Sequence, residues 1–255
     1  MRVDHHSPGN PCWIELFTPD PAAARAFYAD LFGWEVGEAS EEFGGYFMFF
    51  HDGAPVAGCM DNDGGRMGPA AWSVYLHTDD VAASLTRAAK NGATVEAGPM
   101  QIGDVGHMGF LTDPTGAGIG LWQPLAHPGF VARAEDGAPG WFELSTGDYP
   151  AALAFYRDTF DWDLHTLSDT DDFRYTTYGE DEAAYAGIEA ATGLGEPDQW
   201  RLYIQVDDTD EATRKALAAG GTQTLAPEDT PYGRCAGLRD PAGVPFLLMG
   251  PNREG

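Results

Sequence analysis

Residues 13–34 read WIELFTPDPAAARAFYADLFGW, and residues 139–164 read PGWFELSTGDYPAALAFYRDTFDWDL, nearly the same text again. The offset is constant: 128 from Trp13 to Trp141, and 128 from Trp34 to Trp162. Over residues 11–36 against 139–164, 14 of 26 positions are identical, more than composition alone produces. The chain is therefore two copies of one design.

Within the first copy, Trp13–Thr18 alternates as a strand, Asp20 suits an N-cap, Pro21 suits the first helical position, and Ala22–Phe32 is helical up to Gly33. Tyr46–His51 and Pro55–Met60 read as strands on either side of the Asp52-Gly53 turn. A second unit follows in the same order. Trp72–Thr78 is a strand, Asp79 or Asp80 caps, and Val81–Lys90 is a helix closed by Asn91-Gly92. His107–Thr112 and Ala117–Gln123 are strands around the turn Asp113-Pro114-Thr115-Gly116. The second copy repeats this, with strand Trp200–Val206, Asp207 and Asp208 supplying the cap, and turn Asp240-Pro241-Ala242-Gly243 before Phe246–Met249. The expectation is an α+β fold of four βαβββ modules. Residues 8–124 form one domain, 125–138 a linker and 139–252 the other. Residues 1–10 are polar and expected to be mobile, which argues against His5 and His6 as metal ligands.

At 255 residues, with 43% hydrophobic and 12% aromatic residues, the chain can bury a core in each copy. A formal charge of −26 leaves nothing to neutralise phosphates, so nucleic acid and anionic membrane surfaces are not expected partners. Cys12, Cys59 and Cys235 are scattered, as reduced thiols are. The first ten residues hold no apolar core of a signal peptide, and no apolar run approaches membrane-spanning length. The expected location is the cytoplasm.

Side chains alternate faces along a strand. One face of the four first strands carries Ile14 and Leu16, Val74 and Leu76, Phe142 and Leu144, then Leu202, Ile204 and Val206. That is a sheet face covered by helices. The opposite face carries Trp13, Glu15 and Phe17, with Ser73, Tyr75 and His77, in the first copy. In the second it carries Trp141, Glu143 and Ser145, with Arg201, Tyr203 and Gln205. Aromatic rings interleaved with a few polar groups suit a pocket for a small organic molecule; the alternative is a structural core with hydrogen-bonded acids.

The strand, the Thr18-Pro19-Asp20 cap, Phe27-Tyr28 and Gly33-Trp34, with the late hairpins Asp113-Pro114-x-Gly116 and Asp240-Pro241-x-Gly243, resemble the vicinal oxygen chelate superfamily. That superfamily comprises glyoxalases, bleomycin-resistance proteins and extradiol dioxygenases. The resemblance runs from Pro11 to Pro251. It implies two glyoxalase-like domains, each a curved mixed sheet around a cleft. More narrowly, the chain is similar to tandem two-domain proteins of actinobacteria, often labelled hydroxylases, some from gene clusters for aromatic polyketides such as anthracyclines. In metal-using members, each module's first strand gives a His or Gln and a last strand gives a Glu. The matching first-strand positions are Trp13, Ser73, Trp141 and Arg201, and the last-strand ones Gly58, Gly120, Gly187 and Leu247. None is a His or a carboxylate. The resemblance therefore implies the fold and the cleft, with no metal and no other cofactor, there being no GxGxxG or P-loop either.

The expected catalytic groups are Glu15, as a desolvated proton carrier, and His77, as its partner or a ligand anchor. The expected ligand-binding residues are Trp13, Phe17, Ser73, Tyr75, His107 and Trp122 in the first copy. Trp141, Glu143, Arg201, Tyr203 and Gln205 are their counterparts in the second. His51 and His107 are expected near the first cleft, Arg234 in the second, and His127 and His165 on the surface. Three functions fit: metal-independent binding of a flat aromatic molecule, acid–base catalysis in secondary metabolism, or a metal-dependent lyase or dioxygenase with shifted ligands. A monomer suffices, since the repeat supplies its own pseudo-two-fold axis; a homodimer is the alternative.

Overall fold

The computed structural model describes residues 2–3, 5–65, 68–191 and 198–253. The first module runs β1 (Pro11–Thr18), α1 (Pro21–Phe32), β2 (Glu35–Val36), β3 (Phe47–His51) and β4 (Ala54–Asp61). The second runs β5 (Ala71–His77), α2 (Val81–Lys90), β6 (Thr94–Ile102), β7 (Gly106–Thr112) and β8 (Gly118–Pro124). The third is β9 (Pro139–Thr146), α3 (Tyr149–Phe160), β10 (Leu164–Asp169), β11 (Arg174–Tyr178) and β12 (Ala186–Ala190). The fourth is β13 (Gln199–Gln205), α4 (Thr209–Ala218), β14 (Thr222–Thr230), β15 (Gly233–Arg239) and β16 (Pro245–Gly250). This is the expected βαβββ unit four times over.

Each helix starts the same way. Asp20, Asp80, Asp148 and Asp208 accept from the backbone N–H three residues on, at 2.9, 2.9, 3.2 and 3.0 Å. Such a cap satisfies one of the free N–H groups of the first turn. At the other end of α1, Gly33 takes φ 68°, where a left-handed residue stops the helix; in α3 Asp161 does so at φ 57°.

Modules pair within each half. The strand orders are β2-β3-β4-β1-β5-β8-β7-β6 and β10-β11-β12-β9-β13-β16-β15-β14. At each centre two first strands run antiparallel, with Trp13 opposite Tyr75 and Glu15 opposite Ser73, and with Trp141 opposite Tyr203 and Glu143 opposite Arg201. One face of each sheet is the expected core: Ile14, Leu16, Val74, Leu76, Phe142, Leu144, Leu202 and Ile204 are all buried. Among the described residues no helix is long and apolar enough to cross a membrane.

The halves meet through these helical faces, α1 against α4 and α2 against α3. Tyr28 donates to Asp240 at 3.1 Å and Tyr156 donates to Asp113 at 2.9 Å, each from one half to the late hairpin of the other. Trp72 and Trp200 donate to those tyrosine hydroxyls at 3.1 and 3.0 Å. The Phe-Tyr and Asp-Pro-x-Gly motifs are thus docking pieces, and the two concave faces point away from each other.

One expectation changes. The N-terminal residues are held: Gly9 N–H donates to His77 O at 2.9 Å, Trp162 donates to Gly9 O at 3.0 Å, and buried His6 bonds Phe130 O at 2.9 Å. Their polarity had suggested mobility, but backbone groups find partners that composition does not reveal. The segment between the halves is equally pinned, with Phe130 buried and stacked on Phe142 at 5.8 Å.

Candidate functional site

In the first half, the concave face is centred on Glu15. Trp13 and Phe17 flank it on β1, and Ser73 and Tyr75 stand beside them on β5. Gly58 of β4 lies next to Glu15, and Gly120 of β8 next to Tyr75. Tyr75 donates to Glu15 Oε2 at 2.6 Å, and Trp13 Nε1 donates to the Tyr46 hydroxyl at 3.2 Å. Burial pushes the Glu15 carboxyl up to about 7, against the smaller opposing effect of the Tyr75 bond. A group poised at that value can hold or release a proton near neutrality.

His77 lies on the same face, but not beside Glu15. The antiparallel register places it four residues beyond Ser73, roughly 13 Å along the strand at about 3.3 Å per residue. Its ring instead lies 5.9 Å from that of His5, and burial lowers its pKa. The expected Glu15–His77 pair is not assembled; the group within reach of Glu15 is Tyr75. Trp122 pairs with His77 across β5 and β8 and donates to His127 O at 2.8 Å.

Four placements are corrected. His127, expected on the surface, packs edge-on against Trp13 with centroids 4.3 Å apart, and burial pushes its pKa down to about 4. His107 faces away from the cleft. Its neighbour Met108 pairs with Trp122 on the concave side, while a side chain at Gly109 would meet Val81 and Leu85 of α2. Arg234, the counterpart of His107, faces α4 and pairs with Asp210 at 2.7 Å and Asp229 at 2.9 Å. His51 shares a face with Phe49, which packs on Tyr28 and Trp34, and so belongs to the helical side. For His107, Arg234 and His51 one residue of parity along the strand decides the face. His165 pairs with Asp163 at 3.0 Å and is half-buried.

The second concave face repeats the first with more bonds. Glu143, 6% exposed, accepts from Tyr175 at 2.9 Å, Tyr203 at 3.0 Å and Arg201 at 3.3 Å. Trp141 donates to the Tyr175 hydroxyl at 2.9 Å, and Arg201 also reaches Glu189 at 2.8 Å. Gln205, at the His77 position, is half-buried with its side chain against Gly140. Tyr46 and Tyr175 were missed in the sequence. The repeat offset would have matched Tyr46 with Arg174 (46 + 128 = 174), and one inserted residue moves the tyrosine to 175. The periodicity of Tyr46 with Met48 was the signal available.

The donor set does not fit a divalent ion. The Tyr46 and Tyr175 hydroxyls fill the space where side chains at Gly58 and Gly187 would go, and the Tyr75 ring fills that at Gly120. Among the described residues no three His, Cys, Asp or Glu side chains are grouped so as to hold a metal. Gly120→Ala is accordingly expected to cost about 1–3 kcal/mol by overpacking. It should also displace Tyr75 from Glu15, read as a lower Tm together with a perturbed tyrosine absorption spectrum.

The sequence profile of the glyoxalase/bleomycin resistance protein/dioxygenase superfamily matches residues 11–121 and again 138–248. The chain belongs to this superfamily. Among its curated relatives, "Putative glyoxylase CFP32" of Mycobacterium tuberculosis is 36% identical over 95% of both chains. The anthracycline biosynthesis protein DnrV of Streptomyces peucetius is 34% identical over 95% of this chain and 94% of its own. Of solved structures, the Mn(II)-bound glyoxalase from Novosphingobium aromaticivorans superposes with a TM-score of 0.65 at 16% identity, covering 95% of this chain and 82% of that one. At that identity the likeness is one of fold.

Proposed function

We propose that this superfamily member binds a flat aromatic metabolite on a concave face without a divalent ion, in the cytoplasm, as a sequestering protein or an accessory of secondary metabolism. The observation that carries this reading is the pairing of one carboxylate with a tryptophan and two tyrosines on each concave face, at positions where a metal would need imidazole or carboxylate. The relatives named for anthracycline biosynthesis support the aromatic class. Three buried, unpaired thiols support a reducing compartment. Titration with planar anthraquinones should quench tryptophan fluorescence equally with and without EDTA. No quenching by any of them, or quenching that EDTA abolishes and added Fe, Mn, Ni or Zn restores, overturns the proposal.

A catalytic use of the same face is favoured by the raised pKa of Glu15. Glu15 would take up or deliver a proton on an activated ring, with the Tyr75 hydroxyl holding the carboxyl in place. Glu15→Gln should then lower turnover by about a hundredfold or more while sparing binding. Unchanged kcat removes Glu15 from catalysis.

A further inference from the structure

The two concave faces are equivalent in position and unequal in how far the central carboxylate is satisfied. An offset of 128 relates Trp13 to Trp141, Glu15 to Glu143, Tyr75 to Tyr203 and Ser73 to Arg201. Glu143 accepts hydrogen bonds from three side chains: Tyr175, Tyr203 and Arg201. Glu15 accepts one, from Tyr75 at 2.6 Å. Two partners are missing from the first face. Tyr46 occupies the place of Tyr175 and takes the same bond from its tryptophan, yet its hydroxyl makes no bond to Glu15. Ser73 stands where Arg201 extends a guanidinium over its carboxylate, and both Ser73 and Glu15 keep part of their surface exposed. A part-buried carboxyl oxygen with no protein donor is costly unless something else supplies the bond.

We infer that the ligand sits on the first concave face alone, one per chain, and is a planar phenol whose hydroxyl donates to Glu15 from the side that Arg201 covers on Glu143. This rests on the ligand-binding reading above and narrows it to one face and one chemical class. The protein itself supplies the precedent: both carboxyls already take phenolic hydroxyls, at 2.6, 2.9 and 3.0 Å. A neutral donor also suits a carboxyl that burial holds toward its neutral form, whereas a cation would require it ionised. Phe17, part-exposed beside Glu15, offers a ring face to the rest of a flat molecule.

Calorimetric titration with β-hydroxyanthraquinone and its methyl ether, at a slightly acid pH that keeps the phenol protonated, tests this. The phenol should bind one per chain and at least about tenfold more tightly than the ether. Ser73→Arg, which copies the second half into the first, should weaken the phenol by about tenfold or more with the thermal transition retained. If that variant unfolds, Glu15→Met, similar in length and without an oxygen acceptor, should erase the preference for phenol over ether. Binding of two equivalents, or equal affinity for phenol and ether, overturns the inference and leaves the ligand-binding reading standing. Binding of neither compound overturns both.

Discussion

Asp113→Ala is expected to destabilise the protein by about 3–5 kcal/mol, the cost of breaking a buried, multiply bonded carboxylate. Asp113 is 4% exposed and is the knot of the second module's hairpin. Its Oδ1 accepts the backbone N–H groups of Thr115, Gly116 and Ala117 at 2.8, 3.0 and 3.1 Å, and the Thr115 hydroxyl at 2.7 Å. Its Oδ2 accepts the Tyr156 hydroxyl from the other half at 2.9 Å. Tyr156→Phe removes only that last bond and should cost about 1–2 kcal/mol. The hairpin would survive while the contact between halves weakens. Urea unfolding of both variants and the double variant separates the two roles. A loss under about 1 kcal/mol for Asp113→Ala would show that the hairpin does not need its carboxylate. The equivalent knot at Asp240, bonded by Ala242 and Val244 N–H groups at 2.9 Å each and by Tyr28, should behave alike.

Glu15→Gln is expected to raise stability at neutral and alkaline pH and to flatten its pH dependence. The sign follows from the direction of the shift. The carboxyl is pushed up to about 7 in the folded protein, so the folded state binds its proton more tightly than the unfolded chain does. Its proton therefore favours folding below about pH 4.3, the unfolded value, and this contribution fades as pH rises to about 7. The total is at most about 4 kcal/mol at about 1.4 kcal/mol per unit. Glutamine keeps the shape and never ionises, so the variant should gain on the wild type across that window. Chemical denaturation at several pH values measures it. Parallel curves for wild type and variant would mean that Glu15 is ordinary in the folded state.

Much of this was legible in the sequence. The 128-residue repeat, the four Asp caps and the two Asp-Pro-x-Gly turns gave the modules, because helix starts and tight turns demand particular residues locally. Alternation placed Glu15 and Tyr75 on one face. What alternation does not give is register. Glu15 and His77 share a face, but antiparallel pairing sends one toward Ser73 and the other toward the N-terminal segment. For His107 and Arg234 a shift of one residue moves the side chain through the sheet, and only the paired register shows which face each takes. Tyr46 and Tyr175 escaped because a loop insertion broke the repeat where it mattered. The Phe-Tyr and Asp-Pro-x-Gly motifs were read as marks of kinship, and their physical task, bonding each half to the other, is a long-range contact that no window of sequence contains.

The reciprocal bonds, Tyr28 to Asp240 and Tyr156 to Asp113, are what a self-complementary interface between identical subunits would contain. Here both partners lie on a single polypeptide. In an assembly of separate identical subunits every mutation appears in both bowls at once. Joined end to end, one copy can carry Ser73 and leave its carboxylate open on that side, while its sibling carries Arg201 and the structural duty that goes with it.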